Sequence, residues 1–170
     1  PREDRTALTA RLVARLDAIV ACVAPGGSPI VAAYWPFRGE PDLRPWLLAL
    51  LERGWRAALP LVVAKRAPLV FRPWTAATPL TRGVWGIPIP AAGEYVVPDV
   101  IVAPLVGFDA AGFRLGYGGG FYDRTLAAIA GPRTVIGVGY AAAELPTIHP
   151  QAHDVPMDYV LTERETRRRA

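Results

Sequence analysis

The sequence predicts an α/β fold in three layers, a mostly parallel sheet flanked by helices, Rossmann-like in layout but without a dinucleotide fingerprint. Two observations carry this expectation. Short apolar runs of strand type alternate with segments whose apolar residues recur at helical spacing. One run, Val100-Ile101-Val102-Ala103, is apolar at every position, as a strand covered on both faces must be. The 170 residues, 52% of them hydrophobic, supply one core, and no internal repeat divides it, so residues 1–170 are read as a single domain.

Taken in order, Leu8, Leu12, Leu16, Ile19 and Val23 mark a first helix, with Asp4 as its N-cap and Pro25-Gly26-Gly27 as its stop. Ile30 to Tyr34 reads as a strand ended by Pro36. Asp42 caps a second helix, with Trp46, Leu47, Leu50 and Leu51 on its buried side and Gly54 as its end. Ala58 to Val63 and Leu69 to Phe71 read as strands, and Pro60 puts the first at an edge or a kink. Residues 75–98 are loop-like, broken by Gly83, Gly86, Pro88, Pro90 and Gly93. After the strand at 100–103, a long turn and a glycine run lead into a helix from Phe121 to about residue 129. Val135 to Val138 and Tyr159 to Leu161 are the last strands, and 163–170 reads as a solvated basic tail holding Arg167, Arg168 and Arg169. Ligands of such folds gather at the carboxyl ends of the strands.

The net charge is +4, and every basic residue except Lys65 is arginine. That bias suits carboxylate and phosphate recognition, and a GC-rich genome produces it with no functional meaning. No basic face with interleaved aromatics is visible, which argues against a nucleic-acid partner. No apolar run approaches the roughly 20 residues that span a bilayer, so no membrane partner is expected. Cys22 is the one cysteine and no Cys/His cluster exists, which excludes an internal disulfide and a structural zinc. A cytoplasmic, reducing compartment and a monomer are the expectations.

The segment richest in chemistry is Arg114-Leu115-Gly116-Tyr117-Gly118-Gly119-Gly120-Phe121-Tyr122-Asp123. Its glycines bare the backbone N–H groups of a turn that leads into a helix, which makes an anion site. Arg114 adds a fixed charge, and Asp123 is an oxygen ligand of the kind magnesium accepts. Phosphate with magnesium points to a nucleoside triphosphate; the alternative is a turn whose glycines only let helix and sheet pack closely. Lys-Ser/Thr does not follow the last glycine, so this is not a P-loop. His149 and His153 stand four apart, but Pro146 and Pro150 oppose a helix there. His153 is therefore read as a positioned loop residue and His149 as surface. Tyr140, at the end of a strand, is a pocket candidate.

The run from Arg114 to Arg124, preceded by Asp99-Val-Ile-Val-Ala-Pro and Phe108-Asp109, resembles the signature of the 5-formyltetrahydrofolate cyclo-ligase family, also called methenyltetrahydrofolate synthetases. Three further segments agree in order: Tyr34 to Asp42 resembles the family's Tyr-x-Pro-x-x-x-Glu-x-Asp turn, Trp85 to Pro90 its Trp/Phe-Gly-Ile-x-x-Pro segment, and His153 to Glu163 its C-terminal strand. The resemblance implies ATP- and magnesium-dependent conversion of 5-formyltetrahydrofolate to 5,10-methenyltetrahydrofolate through a phosphorylated formyl group. It implies an ATP loop of Arg114, Leu115, Gly116, Tyr117, Gly118, Gly119, Gly120, Phe121 and Tyr122, with Tyr117 to Phe121 also touching folate. Trp35, Glu40 and Trp85 would bind substrate, Asp123 and Asp158 would hold Mg2+, and Arg114 and Tyr122 would position reactants with no side-chain nucleophile. The alternative is a folate- or nucleotide-binding relative with altered substrate or no turnover. Two departures stand out. Phe121 replaces a common tyrosine, removing one hydroxyl contact. The family's basic N-terminal Lys-x-x-x-Arg is not matched by Pro1-Arg2-Glu3-Asp4-Arg5, so about 20 residues are expected upstream.

Overall fold

The computed structural model describes residues 4–24, 26–131 and 133–169. Pro25 in the expected helix stop, and Pro1 to Glu3 in the N-terminal comparison, lie outside the described residues. Helix α1 (Arg5–Val23) starts where Asp4 accepts the Thr6 N–H at 3.0 Å, and buries Leu12, Leu16 and Val20. Strand β1 (Ile30–Ala32) is fully buried. Helix α2 (Arg44–Glu52) carries proline in its first turn, where the missing N–H costs nothing. The Asp42 carboxylate accepts the Arg44 N–H at 3.1 Å, and Gly54 closes the helix end with a φ of +82°.

Strands β2 (Arg56–Leu61) and β3 (Val70–Trp74) pair antiparallel. The expectation that Pro60 marks an edge is corrected: β2 lies between β1 and β3, and β3 is the edge. Even-numbered residues of β2 face β1, since Arg56 donates to Pro29 and Ala58 accepts from Ala33. The registered pairing with β1 stops at Ala58, so Pro60 stands just beyond it.

The stretch read as loop contains a ribbon of β4 (Leu80–Arg82) and β5 (Pro88–Pro90). Ile87 accepts from Gly83 and Ala91 donates to Pro79, so odd positions face β4 while Pro88 and Pro90 turn their nitrogens outward. Prolines at that parity permit a two-stranded ribbon that composition alone disguised.

Strand β6 (Val100–Pro104), the ribbon of β7 (Gly107–Phe108) and β8 (Arg114–Leu115), helix α3 (Phe121–Ala128), and strands β9 (Thr134–Val138) and β10 (Tyr159–Leu161) follow. The basic tail also needs correction. Thr166 to Arg168 form β11, antiparallel to β10 at the sheet edge. Arg167 is fixed there by Glu144 at 2.6 Å and by Glu165. A turn at Thr162, which accepts from the Glu165 N–H, brings the chain back.

The seven-stranded sheet runs β11-β10-β9-β6-β1-β2-β3, parallel from β10 to β2 with an antiparallel strand at each edge. Successive residues of the central strands feed opposite cores. Val31, Val100 and Val102 pack beneath α1 and α2, against Leu16, Leu43 and Leu47. Ile30, Ala32 and Ile101 pack on the other face, where Phe121, Tyr122 and Leu126 of α3 close over them. Each fully buried leucine contributes on the order of 2 kcal/mol. These are the three layers the sequence implied. Among the described residues no helix is long and apolar enough to cross a membrane.

Candidate active site

Five parallel strands ending on one side bring three loops together above them: residues 33–40 after β1, the β4–β5 ribbon, and the glycine loop before α3. Between them lies a cavity of about 150 Å³. Its inner end holds Tyr34, Glu40 and Tyr122, and Phe37, Trp85 and Tyr117 stand at its mouth. Trp35, Arg114, Gly116, Gly119, Gly120 and Phe121 also line it. Most of the expected site residues therefore share one cavity.

Tyr34 is buried and its hydroxyl donates to Pro41 O at 3.1 Å, which pins the turn that presents Glu40. The Phe37 N–H donates to Glu40 Oε2 at 2.9 Å. Burial nevertheless outweighs that bond and pushes the Glu40 carboxyl up to about 7. Burial likewise raises the Tyr34 and Tyr122 hydroxyls, so both remain neutral donors. A carboxylate lifted by desolvation, with lone pairs to spare and aromatic walls, suits a flat heterocycle edged with N–H donors.

The mouth is aromatic. Phe37 and Trp85 stack at 6.0 Å with 13° between their planes, and Tyr117 meets their edges at 5.7 and 6.3 Å. Trp85 is 56% exposed and has a φ of +57°, a left-handed backbone that is costly for a bulky residue. Such strain at a pocket rim marks a constrained side chain, and the indole is not core. Trp35 lies deeper, edge-on to Trp74 at 6.5 Å, with the Arg44 guanidinium 4.6 Å from its ring centre.

The glycine loop has two sides. Gly119, Gly120 and Phe121 line the aromatic cavity and also a second, open cleft with Gly118, Lys65, Arg66 and Arg124. Arg124 donates to the Gly119 carbonyl, and its Nε is buried without a partner. A Cβ on Gly119 would meet the Phe121 ring at 2.6 Å, so only glycine lets the ring fold back beneath the loop. Leu115 is exposed and lines neither space. Lys65, Arg66 and Arg124 escaped the sequence reading. The available signal was the lone lysine, in the turn after β2.

Arg114 is 8% exposed and donates to Asp123 Oδ2 at 2.9 Å; its Nε has no partner, and its guanidinium lies 5.0 Å from the Tyr122 ring centre. Asp123 Oδ1 accepts the Val155 N–H at 3.3 Å. Both oxygens of Asp123 are thus engaged in holding Arg114 and the 155 loop.

The expected partnership of Asp123 with Asp158 does not form. Asp158 precedes β10, at the amino end of the sheet, where it accepts the Val135 N–H at 2.8 Å and faces Arg169 at 3.3 Å. Asp99 does the same before β6, accepting the Ile30 N–H at 2.8 Å. Both are caps that satisfy an N–H at the start of a neighbouring strand, the first of β1 and the second of β9. Among the described residues no three His, Cys, Asp or Glu side chains converge on a metal position. The two aspartates in this arrangement therefore do not fit a joint magnesium site.

His153 is exposed, with Asp154 at 3.6 Å and no place in the aromatic cavity, though it borders the second cleft. His149 is exposed as expected. The Tyr140 hydroxyl meets Thr9 Oγ1 at 3.1 Å and fastens α1 to the sheet's ligand end without lining the cavity.

The chain is similar to known proteins over most of its length. Residues 4–163 match the pattern of the 5-formyltetrahydrofolate cyclo-ligase family. A 5-formyltetrahydrofolate cyclo-ligase of Mycolicibacterium smegmatis is 36% identical over 146 residues, covering 79% of this chain and 73% of that protein. One from Haemophilus influenzae is 30% identical over 138 residues, covering 77% and 74%. Among solved structures, the NMR structure of the Aquifex aeolicus 5,10-methenyltetrahydrofolate synthetase superposes with a TM-score of 0.81 at 31% identity, covering 99% of this chain and 84% of that one. The match runs through every segment that builds the cavity, from the turn after β1 to the glycine loop, and the chain belongs to the 5-formyltetrahydrofolate cyclo-ligase family.

Proposed function

We propose that the protein converts 5-formyltetrahydrofolate to 5,10-methenyltetrahydrofolate with hydrolysis of ATP to ADP and phosphate. The observation that carries this is the double-sided glycine loop: an aromatic, acid-ended cavity on one side, and on the other a cleft whose valine and Trp85 walls carry Lys65, Arg66 and Arg124. The pterin enters the cavity, where its N–H edge meets Glu40. The triphosphate lies in the basic cleft against the backbone N–H groups of Gly118 to Gly120, at the start of α3.

The formyl oxygen attacks the γ-phosphorus and ADP departs, which turns a poor leaving group into a good one. N10 then bonds to the formyl carbon and the C–O bond breaks, with the N10 proton leaving on the phosphate. The chain's part is to position and to neutralise charge. Arg114, with its spare Nε donor, faces the cavity beside the loop and would stabilise the transferring group. Magnesium is expected to arrive as the nucleotide's own ion. Asp123 and Asp158 do not fit a site for it, so no step is assigned to the metal. A cytoplasmic protein working on small molecules without nucleic acid, as a monomer, fits this role.

The test is to mix the protein with 5-formyltetrahydrofolate and magnesium-ATP and follow the 5,10-methenyl chromophore alongside ADP. Matched stoichiometric rise supports the reading. Saturable binding of both ligands without either product would replace it with nucleotide-dependent folate binding.

A further inference from the structure

The turn that supplies Glu40 also carries a cation, two residues earlier and outside the cavity. Arg38 is exposed, with its guanidinium carbon 5.0 Å from the Phe37 ring centre and 5.7 Å from that of Tyr117. Those are two of the three rings at the mouth. Its backbone adopts a φ of +49°, a conformation an arginine enters only when the surrounding turn dictates it. Among the described residues it has no carboxylate partner, unlike Arg44, Arg53, Arg114, Arg164, Arg167 and Arg169. Among the described residues its guanidinium is oriented by ring stacking and meets no hydrogen-bond acceptor, which leaves its N–H donors available to a ligand.

We infer that Arg38 receives the glutamate carboxylates of the folate substrate. This rests on the folate reading of the cavity above. A reduced folate is polar in one sense only: N–H donors edge the pterin, and carboxylates end the p-aminobenzoyl-glutamate arm. The turn after β1 has the opposite polarity, a carboxylate at the inner end of the cavity and a guanidinium at the mouth. With the pterin held at Glu40, the arm leaves between Phe37, Trp85 and Tyr117, and its carboxylates emerge beside Arg38. A guanidinium held over aromatic rings is preorganised for a bidentate grip on a carboxylate. It also selects for the glutamylated form over the bare pteroate.

The experiment measures Kd, KM and kcat for the wild type, Arg38→Asn and Arg38→Lys, with 5-formyltetrahydrofolate and with 5-formyltetrahydropteroate, which lacks the glutamate. Asparagine tolerates the left-handed backbone, so the fold should survive, and melting temperature checks this. The wild type is expected to bind the glutamate form about tenfold more tightly than the pteroate. Arg38→Asn should erase that ratio by weakening the glutamate form alone, with kcat unchanged, and Arg38→Lys should restore part of it. Equal weakening of both ligands would overturn the assignment in favour of ring packing, and so would an unchanged ratio. Wild-type protein that binds the two forms equally would overturn the assignment and leave the folate reading standing. Wild-type protein that binds neither would overturn both.

Discussion

Replacing Glu40 with glutamine tests the inner end of the cavity through stability as well as binding. The wild-type carboxyl is raised from 4.5 to about 7 by desolvation, against the smaller opposing pull of the Phe37 N–H. The folded chain therefore holds that proton more tightly than the unfolded one. Its contribution is fully present below pH 4.5 and is lost as pH rises through about 7. At 1.36 kcal/mol per pH unit the loss is at most about 3 kcal/mol. With the carboxylate partly in contact with solvent, about 1–2 kcal/mol is the reasonable expectation. Glutamine removes this dependence. Any constant cost of the new amide cancels when the difference between variant and wild type is compared at two pH values. For a chain of this length the Glu40→Gln melting temperature should gain about 3–6 °C on the wild type between pH 5 and pH 8. In the same variant, affinity for 5-formyltetrahydrofolate should fall about 10-fold or more, because one N–H acceptor becomes a donor. Thermal melts at the two pH values and a folate titration provide both readouts. A difference that does not change with pH would refute the buried-carboxylate account, and undiminished folate affinity would remove Glu40 from the site.

Three further substitutions probe the rest. Gly119→Val drives a side chain into the Phe121 ring and should weaken folate and ATP together by at least tenfold, with a melting temperature near that of the wild type; a collapse of the melt would mean the glycine serves packing. Asp123→Ala strands the buried Arg114 and should cost about 3–5 kcal/mol in urea unfolding, with Asp123→Asn losing less. An unchanged unfolding midpoint coupled to a selective loss of magnesium-ATP use would show instead that Asp123 is a metal ligand. Leu16→Ala empties a fully buried position beneath α1 and should lower stability by about 2–5 kcal/mol, whereas a smaller effect in urea would contradict the packing of that helix on the sheet.

Much of this architecture was legible from residue order. Asp4 and Gly54 marked helix ends correctly because capping is a local interaction that the adjacent residues determine, whereas Asp42 falls one residue short: the N-cap of α2 is Leu43, and the Asp42 carboxylate takes the Arg44 N–H from the position before it. The all-apolar run at 100–103 announced a central strand for the same reason that it is buried on both faces. What escaped depended on partners far along the chain. The prolines of β5 looked like breakers because their parity relative to β4 is fixed only by the pairing itself. Arg167 of β11 looked like part of a solvated tail because Glu144, more than twenty positions earlier, is what holds it.

The candidate site divides along the same line, and Asp158 shows where a stricter reading would have succeeded. In a parallel sheet, ligands collect where strands end, and the N–H groups left open where strands begin need acceptors. Glu40 follows the parallel strand β1, and the glycine loop lies in the long connection that leaves β6 through the β7–β8 ribbon; both reach the cavity. Asp99 and Asp158 immediately precede β6 and β10, and both spend an oxygen on a neighbouring strand's N–H. Once the strands are assigned as parallel, the side of the strand on which a carboxylate falls already separates ligand-facing from structural acid. By that rule Asp158 was a cap before any coordinate was known. Arg38 lies on the ligand side, in the turn after β1 that also supplies Glu40. The same rule therefore placed a cation and a carboxylate together at the end of the sheet where a substrate of opposite polarity would enter.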